Sequence, residues 1–384
     1  MIRADELIAK AVREGGCPDR GESYKPGLDR FLAEVNRSTT VTPQGWAGAE
    51  AMLLDVLKAR FAIEDWIVKH PDVVDAPVKR PVFITGLPRC GTTLLLNLLA
   101  HDPQFRTYGN WEANRETPPV EAAHIRDDPR IARKVAEVNA ALDAGILDHR
   151  YHVEMGDEPG ECVWLLGQDF KSYPWLIVSP APNYFDWLYS DADMLAAYRH
   201  HKRGLQVMQS RAPGQWVLKF PSHAPFLDSL MAVYPDARVV FTHRDPIKPL
   251  GSSCSASWHV TQYFNDHNLD KVEIGRQTQT ILERSLMGVC TFQERFPTAP
   301  MHDLYYPRFI ADPLAEIRKL YDFMGCDLSD GIEAQMQKAL ERQRAQRGQV
   351  GRHEYSLEEY GLSEKNLPPI FEEYRQRYGL APER

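Results

Sequence analysis

The sequence lacks several features that would define the class of the protein at once. It has no run of about 20 apolar residues, the length that a membrane-spanning helix needs, so no transmembrane segment is expected. Basic residues are fewer than acidic ones, 45 against 53, and the formal net charge is −8. A nucleic-acid-binding protein should carry a basic surplus, so we expect no nucleic-acid partner. Internal repeats and low-complexity tracts are also missing.

Paired cysteines and a leader-like segment are missing as well. The six cysteines are scattered without a Cys-x-x-Cys spacing, which is typical of reduced thiols in the cytoplasm. The first 20 residues are polar and of mixed charge, unlike a secretory leader, so we expect a cytoplasmic protein. The 43% of hydrophobic and 26% of charged residues are typical of a globular protein with a sizeable core.

Hydrophobic periodicity divides the chain into a helical beginning and an α/β remainder. Residues 1–75 contain no strand pattern, and apolar residues between Met52 and Ile63 recur at helical intervals before Pro71 ends the pattern. We therefore expect a helical N-terminal extension over 1–75 and an α/β domain over 76–384. Short apolar runs that predict strands lie at 81–85, 216–220, 237–242 and 301–306. Their alternation with helical patterns predicts a three-layer fold of the P-loop type, in which helices flank a parallel sheet.

The segment GLPRCGTT, from Gly86 to Thr93, separates the first predicted strand from an apolar helix. Its glycines have the G-x-x-x-x-G spacing of a phosphate-binding loop, where backbone amides and the positive helix end hold an anion. Nucleoside triphosphatases carry lysine after the second glycine, but Thr92 stands there and the cation of this loop is Arg89. We expect the loop to bind phosphate without a γ-phosphate and magnesium apparatus. An ordinary strand-turn-helix corner is the alternative. Cys90 is interpreted as a small filler of the loop, with a reactive thiol as the alternative.

Together with its neighbours, this loop resembles that of the sulfotransferase family. The family's P-[RK]-x-G-T-T motif holds the 5′-phosphosulfate end of 3′-phosphoadenosine 5′-phosphosulfate (PAPS). The matching residues are Pro88, Arg89, Cys90, Gly91, Thr92 and Thr93. Arginine at position 89 is typical of the bacterial branch, which usually has serine where this chain has Cys90. The resemblance implies that PAPS is the donor, that these residues bind it, and that no metal is needed.

Two further stretches support the resemblance. The family places an arginine at the end of a second strand and a serine eight residues later, and both bind the 3′-phosphate; Arg244 and Ser252 have this spacing. A guanidinium fork suits a dianionic phosphate, although a local ion pair between Arg244 and Asp245 is the alternative. The family's late R-K-G-x-x-G stretch is matched less closely by QRGQVG, which implies contacts from Arg347 and Gly348.

Transfer of a sulfuryl group to a hydroxyl requires a base for the acceptor proton and cations for the leaving group. The cation candidates are Arg89 and Lys219. In the family a lysine followed closely by a histidine occupies such a strand end, which implies His223 as the base, although the spacing here is two residues longer than in the cytosolic branch. Glu112 competes with it, because several sulfotransferases outside that branch use a carboxylate from this region. A third group of candidates comprises His152, Glu154, Glu158 and Glu161.

The sequence thus predicts a sulfotransferase that acts on a hydroxyl of a small, fairly apolar acceptor. The tryptophans, tyrosines and prolines between residues 110 and 200 indicate apolar walls for that acceptor. Two alternatives stay open, namely a small-molecule kinase with a degenerate phosphate loop and a non-enzymatic module that binds an adenosine nucleotide.

Overall fold

The computed structural model describes residues 1–148, 153–347 and 355–383. Residues 1–75 form three helices and a short 3-10 turn, as the sequence predicts: α1 (Ala4–Gly15), α2 (Lys25–Val35) and α3 (Pro43–Lys69). The hydroxyl of Thr42 starts α3 by accepting a hydrogen bond from the Gly45 amide at 2.9 Å. The helix ends at Lys69, two residues before Pro71, which confirms the predicted stop.

Within the described residues, five strands form one parallel sheet. They are β1 (Val82–Gly86), β2 (Phe105–Thr107), β3 (Gln215–Lys219), β4 (Arg238–His243) and β5 (Met301–Tyr305), in the order β2-β3-β1-β4-β5. The predicted runs at 81–85, 216–220, 237–242 and 301–306 each fall within one residue of an observed strand. The strand β2 was not predicted, since three residues are too few to show a period.

Helices cover both faces of the sheet and complete the three layers. They are α4 (Thr92–Leu99), α5 (Pro129–Asp143), α6 (Val163–Gly167), α7 (Pro182–Ser190), α8 (Met194–Gln209), α9 (Leu227–Val233), α10 (Ile247–Thr261), α11 (Lys271–Arg295), α12 (Tyr306–Ala311), α13 (Pro313–Met324), α14 (Asp330–Arg347) and α15 (Ile370–Tyr378). Alternate residues of β1 face opposite cores: Ile84 packs with α4 and α13, whereas Phe83 packs in the core that includes α1–α3, α8 and α11. The predicted α/β fold with its N-terminal helices is therefore confirmed.

The five strands are parallel, so their carboxyl ends lie at one edge of the sheet. β1 is the central strand, and its end leads into the loop before α4. The ends of β3 and β4, next to it on either side, carry Lys219 and the residue before Arg244. Ligands of open α/β sheets bind at this edge, where the chain order reverses. Among the described helices, none combines the length and the apolar character that crossing a membrane requires.

Candidate active site

Three residues in the turn from β1 to α4 have positive φ angles. Gly86, Arg89 and Gly91 have φ angles of 144°, 64° and 81°. A Cβ atom at Gly86 would lie 2.3 Å from Thr242 Oγ1, so glycine is required there. Alternation of left-handed and ordinary backbone turns successive N–H groups to one side and makes an anion-binding concavity. The loop then enters α4 at Thr92, whose side chain is buried.

Cys90 fills the interior of this loop. Its side chain is fully buried, and the thiol contacts the carbonyl oxygen of Pro88 at 3.6 Å. Burial raises the pKa of Cys90 to about 12, so the thiol stays protonated and unreactive at neutral pH. This environment agrees with the interpretation of Cys90 as a small filler.

Arg244 joins the loop to the end of β4. Its Nη1 donates to the carbonyl oxygen of Arg89 at 2.6 Å, and its guanidinium lies 4.2 Å from the ring centroid of Tyr306. Its Nε and Nη2 donate to the two carboxylate oxygens of Glu383 at 2.7 and 2.6 Å. Asp245, the alternative partner named from the sequence, accepts instead from Arg375 at 2.8 Å and from the Glu383 amide at 2.7 Å. The Arg244 guanidinium therefore binds the carboxylate of Glu383 and not that of its chain neighbour Asp245.

The other predicted 3′-phosphate contacts lie on α10, at the end of α14 and just beyond it. Ser252 lies half-buried on α10, next to Gly251. A Cβ atom at Gly251 would be 2.5 Å from the ring of Tyr355, so Tyr355 packs closely against α10 at this glycine. Arg347 is the last residue of α14, whereas Gly348 lies outside the described residues.

The pKa of the Tyr355 hydroxyl is influenced by the charges of Arg89 and Arg244. Burial raises the pKa of Tyr355, and the charges of Arg244 and Arg89 oppose the rise. Tyr355 therefore lies within electrostatic reach of the loop arginine and of the arginine after β4.

Lys219 lies at the end of β3 with its side chain fully buried. Its Nζ donates to Glu154 Oε1 at 2.6 Å and to Glu161 Oε1 at 2.7 Å. Although burial opposes its charge, the two carboxylates raise the pKa of Lys219 above the ordinary value. We call these three residues the Lys219 triad. Because both carboxylates bind its Nζ, the lysine holds them in position and stays positively charged, and its predicted role as a cation for the leaving group stays a prediction.

Within the triad, only one of the two carboxylate oxygens of Glu161 binds Lys219. Its Oε1 accepts from Lys219, while its Oε2 accepts no hydrogen bond from any of the described residues. Glu154 uses both oxygens, since its Oε2 accepts from the Glu161 amide at 3.2 Å. Burial raises the pKa of Glu161, as it does that of Glu158. Three of the four residues in the third candidate group therefore lie close to Lys219, and His152 falls outside the described residues.

Glu112 is bound on both oxygens. Its Oε1 forms a buried ion pair with Arg106, and its Oε2 accepts from the Gly109 amide at 2.9 Å. The second bond closes the 3-10 turn Asn110–Glu112. This pattern is that of a structural carboxylate that anchors the chain after β2.

His223 is held in the core on the Phe83 face of the sheet. Its side chain is fully buried in the turn Pro221–Phe226, and its Nδ1 lies 2.8 Å from the Tyr198 hydroxyl. Its Nε2 lies 3.3 Å from Cys162 Sγ. Burial lowers the pKa of His223 to about 3. Both ring nitrogens are thus engaged by core groups.

Sequence reasoning missed Glu383 as a partner of Arg244. The two residues are 139 positions apart, and no local pattern connects them. A lone glutamate near the end of a chain carries no motif, so only the folded contact reveals it.

A phosphate-type loop follows the central strand, and an arginine follows the neighbouring strand, in an α/β fold with a parallel sheet. The chain belongs to the sulfotransferase family, whose family model matches residues 81–330. This membership confirms the predicted enzyme class and removes the kinase and the non-enzymatic module as leading alternatives.

Two solved structures are similar over nearly the whole chain. Sulfotransferase STF9 from Mycobacterium avium is 33% identical, with 99% of this chain and 98% of that chain covered and a TM-score of 0.91. Sulfotransferase STF1 from Mycobacterium tuberculosis H37Rv is 30% identical, with 99% of both chains covered and a TM-score of 0.82. A comparison with curated proteins found no match. The similarity includes the N-terminal helices, since it extends beyond the segment that the family model matches.

Proposed function

We propose that the protein transfers a sulfuryl group from PAPS to a hydroxyl of a small, fairly apolar acceptor. The observation that supports this most directly is the bond from Arg244 to the backbone of Arg89. It joins the loop expected to hold the 5′ end of the donor to the arginine expected to hold its 3′-phosphate. A separate cation for the 3′-phosphate is what distinguishes a PAPS site from a triphosphate site.

The residues present fit a donor that carries two phosphate groups. Arg244 already binds a carboxylate through Nε and Nη2, the bidentate geometry that a phosphate also accepts. In the proposal, Gly91, Thr92 and Thr93 hold the 5′ end with backbone amides and hydroxyls at the start of α4. The 3′-phosphate is assigned to Arg244, Ser252, Arg347 and Gly348.

The bound donor supplies the sulfuryl group and a phosphate leaving group. Arg89, exposed in the middle of the loop, is assigned the developing charge on the leaving side. The acceptor oxygen must lose its proton as it attacks in line. A general base for that proton has to present an unoccupied lone pair.

We infer that Glu161 is this base and that Lys219 and Glu154 position it. Its Oε1 accepts from Lys219, its Oε2 accepts from none of the described residues, and burial moves its pKa upward, toward the range where a carboxylate accepts a proton effectively. The earlier candidates are less suited. Glu112 uses both oxygens in structural bonds, and His223 is enclosed in the core with both ring nitrogens engaged.

Donor binding tests the first part of the proposal. 3′,5′-Adenosine bisphosphate should stabilise the protein by about 2.7 kcal/mol at 100 times its Kd, and 5′-AMP should stabilise it far less at the same concentration. Thermal shift reports both values. Arg244→Lys keeps the charge but loses the fork, so it should remove most of the difference, whereas Arg276→Lys at an exposed position of α11 should keep it. Equal shifts from the two nucleotides on the wild type would contradict the 3′-phosphate site.

Turnover tests the base. With labelled donor and an acceptor found by mass-spectrometric screening, Glu161→Gln should lower turnover by about 10²–10⁴-fold without weakening donor binding. Glu112→Gln and His223→Gln serve as the competing variants. If one of them, and not Glu161→Gln, shows this loss with intact donor binding, the assignment moves to that residue.

A further inference from the structure

Three side chains that could bind a metal ion meet in the core. Cys162 precedes α6, His201 lies on α8, and His223 lies in the turn after β3. All three are fully buried, and one ring nitrogen of each histidine and the cysteine sulfur lie within 4.8 Å of one another. Because 61 residues separate Cys162 from His223, the fold and not a local motif brings them together.

A tyrosine hydroxyl holds the far nitrogen of each imidazole. Tyr198 lies 2.8 Å from Nδ1 of His223, and Tyr234 lies 2.7 Å from Nδ1 of His201. This leaves Nε2 as the nitrogen that each ring can offer to a shared ligand. Metal-binding histidines are typically oriented in this way, by a hydrogen bond on the nitrogen that does not bind the metal.

Three of the four imidazole nitrogens in the cluster have a hydrogen-bond partner, and one has none among the described residues. Nε2 of His223 contacts Cys162 Sγ at 3.3 Å, but Nε2 of His201 is buried and has no hydrogen-bond partner among the described residues. Neither tautomer of His201 solves this. If Tyr234 donates to Nδ1, the N–H at Nε2 lacks an acceptor, and if Nδ1 donates, the lone pair of Nε2 lacks a donor. Such an unpartnered buried group is destabilising and is rare in native proteins.

We propose that Cys162, His201 and His223 form a binding site for a thiophilic d10 metal ion, Zn²⁺ or Cu⁺. On binding, the Cys162 thiol releases its proton to solvent and its sulfur becomes the anionic ligand, while each imidazole contributes the Nε2 lone pair. No oxidant or reductant is consumed. The ion would supply the partner that Nε2 of His201 lacks.

The softness of the ligands agrees with this class of ion. A thiolate with two imidazoles and no carboxylate oxygen does not suit Mg²⁺ or Ca²⁺. Zn²⁺ usually takes a fourth ligand, whereas Cu⁺ accepts a set of three soft ligands, so the two ions can be told apart by experiment.

The site would connect the core to the Lys219 triad. The Cys162 amide donates to the carbonyl oxygen of Lys219 at 3.1 Å, and Cys162 directly follows Glu161. An ion bound here would tie the triad to α8. The inference does not depend on the identity of the sulfuryl donor, because it rests only on the three ligands and their partners.

Metal binding can be measured on the full chain. Protein stripped with a chelator is titrated with Zn²⁺, with Co²⁺ as a spectroscopic substitute for zinc, and with Cu⁺ under anaerobic reducing conditions. Stoichiometry is read by elemental mass spectrometry after gel filtration, thiolate ligation by the charge-transfer absorption of the Co²⁺ form, and stability by thermal shift. The variants are Cys162→Ser and His201→Gln, and the control is Cys254→Ser, which alters a buried cysteine outside the cluster.

We expect one ion per chain, with a raised melting temperature, in the wild type and in Cys254→Ser. Both cluster variants should retain less than about a tenth of the ion and show no metal-dependent shift. The proposal is overturned if the wild type binds neither Zn²⁺ nor Cu⁺ stoichiometrically. It is also overturned if Cys162→Ser binds as much as the wild type, since the ion would then sit elsewhere. A wild type that binds neither ion overturns the proposal even where a variant fails to fold, and His201→Gln locates a bound ion where Cys162→Ser fails to fold.

Discussion

Replacing Glu383 by glutamine should strengthen the binding of 3′,5′-adenosine bisphosphate. In the structure, the Glu383 carboxylate takes both Nε and Nη2 of Arg244, the atoms that the 3′-phosphate is proposed to use. A dianionic ligand must displace this carboxylate before it can bind there. The variant keeps the size of the side chain but removes its charge, so the ligand meets a weaker competitor.

The size of the effect follows from the exposure of the ion pair. The side chains of Arg244 and Glu383 are 17% and 27% exposed, so solvent screens part of their attraction. We estimate the loss at about 1 kcal/mol, between the values of exposed pairs and of charged hydrogen bonds. This corresponds to a roughly fivefold lower Kd. The unliganded variant should be less stable than the wild type by a similar amount.

Isothermal titration calorimetry with the bisphosphate measures this change directly. Binding of 5′-AMP, which lacks the 3′-phosphate, should change little, and Glu373→Gln on the exposed face of α15 should leave both affinities unchanged. An unchanged bisphosphate Kd in Glu383→Gln, together with a large loss in Arg244→Lys, would show that the ligand does not compete with Glu383. Weaker binding in Glu383→Gln would mean that the glutamate assists the ligand.

Three other outcomes are expected. Burial raises the pKa of Glu116 to about 7 in the folded protein. In the unfolded chain this carboxyl group ionises near its ordinary pKa, so the free energy of unfolding should fall as pH rises from about 4.5 to 7. Glu116→Gln should lack this fall and gain on the order of 1–3 kcal/mol over the wild type between pH 5 and 8 in urea titrations; parallel pH profiles would refute the assignment. Gly86→Ala should destabilise by about 1–3 kcal/mol because its Cβ would meet Thr242, whereas Gly331→Ala, with open space around it, should not lower the melting temperature. Turnover should need no added magnesium, because the loop has Thr92 and no lysine; a strict magnesium requirement would contradict the metal-free donor site.

The features that sequence predicted are those set by local chemistry. β1, β3, β4 and β5 are buried runs of strand-forming residues between turn signals, so their positions could be read directly. The loop was recognisable because its glycine spacing reflects backbone needs at Gly86 and Gly91, which the φ angles confirm. β2 was missed because three residues at the sheet edge become a strand only by pairing with β3.

The features that sequence left open depend on distant partners. A lysine at the end of a strand gives no sign that carboxylates 65 and 58 residues earlier will neutralise it, as Glu154 and Glu161 do to Lys219. The protonation of an imidazole is equally non-local, because His223 has a pKa of about 3 only through the burial that the whole core provides. The general base therefore remains a prediction until the variants are measured.

The attachment of Glu383 to Arg244 and Asp245 has a practical consequence for handling the protein. The last described residues are fastened to the strand end that carries the proposed 3′-phosphate arginine, through the Glu383 carboxylate and its backbone amide. A purification tag or fluorophore fused directly after this segment would start beside that arginine and disturb any affinity measurement. Met1 is 97% exposed, so labels belong at the N-terminal end.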